Sequence, residues 1–246
     1  MTTARDLIVV AMDVPADLLV DRGDLSLALA AAELIDLLAA RALALRGDLV
    51  VPGERRDEGQ GTEAGRDRLL TQALTAYEAA TRPGTAGDRR PEGDAAGAGD
   101  TGRAPAGSGQ HAEDEETGER VEDWLWRRGR DLPTAYLAAL EEEGTLVRED
   151  QRRWRLLPTS RRVLADTPGR RRAAQHWSSD APVLRALGTL IGVKGEEPPP
   201  DEVPEHSPAR VVVDGLRQAV DELAEERRLR TTRLDRANAT YRSRGY

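Results

Sequence analysis

The stretch DLSLALAAAELIDLLAARALALRGDLVV, Asp24 to Val51, decides how this chain folds. From Leu25 to Ala40 its only charged side chains are Glu33 and Asp36. A helix here is apolar on almost every face and has to be wrapped by other elements. Ala and Leu are strong helix formers, and Asp24 and Ser26 offer N-cap oxygens, which predicts a central core helix ending near Arg41. Leu43 and Leu45 then alternate with small residues, Arg46-Gly47-Asp48 supplies turn chemistry, and Leu49-Val50-Val51 continues as the second arm of a hairpin. The apolar run, about 16 residues, is shorter than the roughly 20 that span a bilayer, and it carries two carboxylates.

The rest of the chain has to supply the wrapping. Thr3 is placed to cap a short helix over Ala4 to Met12, which Asp13-Val14-Pro15 stops. Leu69, Leu70, Ala73, Leu74 and Tyr77 recur at helical spacing from about Arg66 to Ala80. Trp124 and Leu125 begin a short helix, Pro133 opens another in its first turn, and Gly144 is its C-cap. Leu146 to Arg148 and Arg153 to Leu157 read as the arms of a second hairpin about a turn at Glu149 to Gln151, followed by a short turn or extended piece at Arg161 to Ala165. A helix is expected over Ala181 to Gly192, and a last long one from Ala209 to about Arg236 whose second half is charged nearly all round.

Between these elements, Pro83 to Glu119 contains nine Gly, three Pro and nine acids with no Leu, Ile, Val or aromatic residue. Such a segment cannot bury enough apolar surface to offset its ordering entropy, which predicts a disordered insertion. The fold expected is therefore mainly α: one discontinuous domain, residues 1–82 and 120–246, around the buried helix, with two short hairpins.

Composition narrows the function. The 246 residues are 33% charged and 39% hydrophobic, with net charge −8, no Phe and no Cys. The absence of Cys excludes a disulfide scaffold and thiolate metal sites. The acidic balance argues against a generic nucleic-acid binder, so no nucleic-acid partner is expected. The N-terminal MTTARDLIVVAMD lacks a basic n-region, which suits a cytoplasmic protein. Of the 36 basic residues only Lys194 is lysine, as in GC-rich bacterial genomes that favour Ala, Gly and Arg.

No constellation of HExxH, GxSxG, Walker A or GxGxxG type is present, and His111, His176 and His206 stand at unrelated spacings, so neither an enzyme nor a cofactor is indicated. The strongest charge feature is Arg148 to Arg172, nine arginines against Glu149, Asp150 and Asp166. Trp154 lies inside it between Arg153 and Arg155, making a basic hairpin able to meet phosphate groups with an indole in the core or at a membrane interface. Two alternatives stay open. These arginines pair with the protein's own carboxylates, or the helix before a basic hairpin is a winged-helix DNA-binding module, although Pro133 to Glu143 carries no basic residue.

The order of pieces, with LALAAAELIDLLAARALAL, RGDLVV, DRLLTQAL and TAYLAALEEEGTLVREDQRRWRLLPTS, resembles the Golgi phosphoprotein family, over Thr3 to about Val193 apart from the insertion. The resemblance implies a mostly helical, non-enzymatic adaptor that binds phosphatidylinositol 4-phosphate on the cytoplasmic face of a membrane and takes protein clients. It places the family's lipid site at Asp21, Ala30, Arg130 and Pro133, where Arg130 alone has the family's residue type. Arg152, Arg153, Arg155, Arg161 and Arg162 are the further arginines expected to attract an anionic phospholipid or phosphoinositide surface.

Overall fold

The computed structural model describes residues 2–13, 20–54, 67–82, 118–151, 159–179, 181–193 and 203–243, with the side chains of all but 148–151, 159–161, 237 and 239–243. The insertion up to Thr117 is outside the described residues. Glu119, assigned to it from sequence, is ordered instead. It pairs with Val50 in the first sheet, and Arg127 binds its two carboxylate oxygens at 2.6 Å each.

The described residues are mainly helical. Helices α1 (Thr3–Asp13) and α2 (Arg22–Ala39) precede strands β1 (Leu43–Arg46) and β2 (Leu49–Pro52). Then come α3 (Arg68–Ala80), β3 (Glu119–Arg120), α4 (Val121–Arg128), α5 (Leu132–Glu142), β4 (Leu146–Gln151), β5 (Thr159–Leu164), α6 (Pro168–Ser178), α7 (Pro182–Leu190) and α8 (Pro208–Ser243). One antiparallel sheet has the order β1-β2-β3 and the other is the β4-β5 pair.

Helix α2 is the expected centre. It touches α1, α3, α4, α5, α7, α8 and β1, and six consecutive residues, Ala28 to Glu33, have no exposed surface. It begins earlier than its apolar pattern suggests, because Asp21 is the N-cap and accepts from the Gly23 amide. The four alanines among Ala28 to Ala32 let neighbours come close. Trp124 of α4, fully buried, donates its indole N–H to the Ala30 carbonyl at 3.1 Å. The first hairpin falls as expected, with Gly47 at φ +62° in a two-residue turn that an L side chain adopts only under strain.

The second hairpin is displaced from its expected place. Residues 149–151 continue β4 rather than turn, and the partner strand begins at Thr159, so Glu149 faces Arg161 and Leu146 faces Leu164 in register. Helix α6 was not expected at all. Its signals, Thr167 accepting from the Arg170 amide and Pro168 in the first turn, are local capping chemistry without a long apolar stripe.

Helix α1 takes in Thr3, the residue expected to cap it; Thr2 Oγ1 accepts from the Arg5 amide at 3.4 Å instead, and a second cap comes from outside the helix. The Thr3 and Ala4 amides donate to Asp36 of α2, at 3.0 and 3.2 Å. Burial raises the Asp36 carboxyl to about 6, outweighing these hydrogen bonds. The folded protein therefore holds a proton that the unfolded chain releases near 3.8, so this contribution to stability is complete below that value and is lost as pH rises through about 6. Asp6 and Glu33 are raised in the same direction, also by burial. The thermal midpoint should accordingly rise by a few degrees from pH 7 to pH 5, the Asp36 share over that interval being about 1.3 kcal/mol at most. Asp36→Asn should flatten the profile, and a midpoint that falls on acidification, unchanged by that substitution, would contradict the assignment.

Candidate functional site

Three of the four positions that the resemblance points to, Asp21, Arg130 and Pro133, lie near one corner, where the N-terminal ends of α2 and α5 meet; Ala30 lies in the middle of α2. Arg22 donates to Thr134 Oγ1 at 2.6 Å, tying the first turns of the two helices together. Gly129 passes so close to α2 that a Cβ there would lie 3.1 Å from the Ser26 carbonyl oxygen. Asp131 then turns the chain into α5 in the left-handed region, φ 56°, which aspartate tolerates better than most residues. The turn carries Arg130 outward.

Arg130 is exposed and has no hydrogen-bond or ion-pair partner among the described residues. Four residues before it, Trp126 is 37% exposed, on the outward side of a helix whose Val121, Trp124 and Leu125 face the core. The remaining positions are committed elsewhere. Ala30 is fully buried, Pro133 is buried, and Asp21 holds Arg227 of α8, which also binds Asp24 at 2.9 Å. Arginines and carboxylates thus balance at this corner. What it offers an anion is the unspent guanidinium of Arg130, beside the positive end of the α5 dipole.

The neighbouring arginines of α4 are internal. Arg127 stacks over Trp124, its Cζ 5.3 Å from the ring centroid, while Arg128 reaches into the core. There it grips Glu33, which has no exposed surface, at 2.6 and 3.0 Å, and donates to the Leu69 carbonyl at 3.1 Å. The Tyr136 hydroxyl gives Glu33 a third hydrogen bond at 3.0 Å, and burial lifts that phenol well above its ordinary range. The group is satisfied and closed.

The basic hairpin is a different place. Arg152, Arg153, Trp154 and Arg155 lie outside the described residues, and Arg161 is placed only by its backbone in β5. Arg162 binds Glu141 at 2.6 Å, near the end of α5 opposite to Arg130. At 1.5 Å per residue about 10 Å of helix separates Thr134 from Glu141, so the structure does not bring Arg162 and Arg130 into one site. Farther along the same run, Arg170 binds Asp13 at 2.6 Å and Arg171 binds Asp166 at 2.9 Å. The protein's own carboxylates take these cations, as one of the alternatives read from sequence holds.

Two members of the corner escaped sequence reading. Arg22 lies ahead of the apolar run from which the helix was read, because α2's charged first turn has no apolar pattern. Trp126 had a usable signal: within VEDWLWRR the inward positions are Val121, Trp124 and Leu125, which leaves the second tryptophan facing out.

No family model, curated protein or solved structure matches this chain. Geometry alone therefore bears on function. Among the described residues no group of three or more His, Asp or Glu could hold a metal ion, and no helix is long and apolar enough to cross a membrane. Helix α5 leaves Thr134, Ala138 and Glu142 exposed, with no cation for a phosphate backbone.

Proposed function

We propose that this protein is a non-enzymatic peripheral adaptor that docks reversibly on anionic membranes, in the manner of the Golgi phosphoproteins it resembles. The observation that carries this reading is Arg130, without a partner among the described residues, with exposed Trp126 four residues away, at the corner where α2 and α5 meet. A guanidinium with free donors suits a lipid phosphate, and a half-exposed indole suits the interfacial layer just below it. The arginines at 152, 153 and 155 add diffuse attraction at a second place, worth about 1 kcal/mol for each that reaches the surface. Cytoplasmic residence with attachment at the inner membrane face accords with this, as do protein clients held at the same surface.

Liposome co-sedimentation with and without phosphatidylinositol 4-phosphate tests it. Arg130→Ala should weaken binding about fivefold, the equivalent of about 1 kcal/mol, and only where the phosphoinositide is present. Replacing Arg152, Arg153 and Arg155 together by Ser should weaken binding to every anionic liposome by about 3 kcal/mol at most, and added salt should mimic that change. A wild-type protein that fails to bind any anionic liposome at low salt removes the membrane reading.

The pairing of Arg162, Arg170 and Arg171 with the protein's own carboxylates favours a second reading, an adaptor that binds proteins and has no lipid affinity. That reading gains if client capture survives while liposome binding is absent. A DNA mobility shift alongside tests the winged-helix alternative.

A further inference from the structure

Away from the corner, α1, α6 and the start of α7 form a half-open cavity of about 130 Å³. Its walls include Asp6 of α1, His176 of α6 and the run Ala181-Pro182-Val183-Leu184. The carboxylate is 3% exposed, yet only half of it is satisfied. Oδ2 lies 2.7 Å from His176 Nδ1, whereas Oδ1 is buried with no hydrogen-bond partner among the described residues. A buried carboxylate oxygen left unpaired is costly, and burial accordingly lifts the Asp6 carboxyl above its usual range. The remaining lining is almost wholly apolar.

The closed Glu33 cluster shows the contrast. There each carboxylate oxygen has a donor; at Asp6 one oxygen lacks a donor among the described residues, and the residue itself lines a cavity. The volume is close to that of engineered cavities that admit a benzene-sized molecule. His176 Nδ1 is the partner of Oδ2, on a ring that is half exposed. An ammonium head carries three donors and the charge opposite to the carboxylate, while an alcohol of the same size carries one donor and no charge.

We propose that the cavity between α1, α6 and α7 is a binding site for a small alkylammonium ion, its charged head on Asp6 and its short apolar body against Val183 and Leu184. The ligand class follows from the pairing of one unsatisfied buried carboxylate oxygen with a compact apolar chamber. Nothing in it depends on membrane binding.

The full chain, titrated with n-butylammonium chloride and separately with n-butanol at matched ionic strength, provides the test, read by NMR at the Val183 and Leu184 methyls and the His176 ring nitrogens. Butylammonium should shift all three sets of signals and bind at least tenfold more tightly than butanol. Asp6→Asn should abolish that preference. Val183→Trp, which fills the chamber while keeping Asp6, should abolish binding of both molecules, and its unfolding midpoint shows whether the fold is kept. Equal binding of the two molecules, a preference that persists in Asp6→Asn, or the absence of any shift would each overturn the proposal, the last meaning that the cavity holds only water.

Discussion

Replacing Arg128 by Ala should destabilise the protein by about 3–5 kcal/mol, the cost of stranding a buried charge. Glu33 lies on the central helix with no exposed surface, and two of its three hydrogen bonds come from Arg128. Without the guanidinium it keeps only the Tyr136 hydroxyl, and burial already raises its pKa despite the arginine. It would have to take up a proton or draw in water, and the Leu69 carbonyl would lose a donor as well. Urea unfolding measures the loss. The converse experiment is sharper: Glu33→Leu combined with Arg128→Met removes both charges at similar volume and should recover most of the stability. A single-variant cost below about 1 kcal/mol, or a double variant no better than the single one, would show that the pair is not desolvated.

Leu34→Ala should cost about 2–5 kcal/mol, through lost burial and the cavity left behind. Leu34 is fully buried between Glu33 and Ile35 on a helix enclosed by other helices, so few neighbours are free to relax into the space. Leu38, one turn later on the same helix, is only partly buried, and Leu38→Ala should cost clearly less. Equal losses at the two positions, or less than about 0.5 kcal/mol at Leu34, would mean that α2 is not enclosed. Since the whole stability of a domain is about 5–15 kcal/mol, either severe variant takes a large share of it.

Much of the architecture could be read from apolar spacing. The enclosed α2, the RGDLVV hairpin and helices α3, α5, α7 and α8 all carry the period of their element in residues that the core then buries. What escaped had other physics. Helix α6 is defined by Thr167 and Pro168 at its start and buries only Ala173, so it shows almost no hydrophobic stripe. The start of α2 depends on Asp21 capping two residues away and holding Arg227, more than 200 positions later in the chain. The second hairpin slipped because Glu149 to Gln151 has turn composition, yet cross-strand pairing places it opposite Thr159 to Arg161.

The candidate sites were less legible than the fold. A run of arginines is visible in any sequence, but whether each guanidinium is spent depends on carboxylates brought in by folding. Arg170 finds Asp13, 157 positions away, while Arg130 finds none among the described residues. The Asp6–His176 pair shows the same limit. Its members stand 170 positions apart, one inside an apolar helix and the other in a helix that the pattern did not reveal.

The cap that α2 provides for α1 also bears on the order in which the chain assembles. The acceptor for the first amides of α1 lies 33 residues downstream, on a helix that must already exist for Asp36 to be in place. Eleven residues are too few to hold a helix in water unaided. Helix α1 therefore owes its stability to docking on α2, although it is synthesised before it. Until the two helices meet, its apolar side, Leu7 to Val10, stays uncovered.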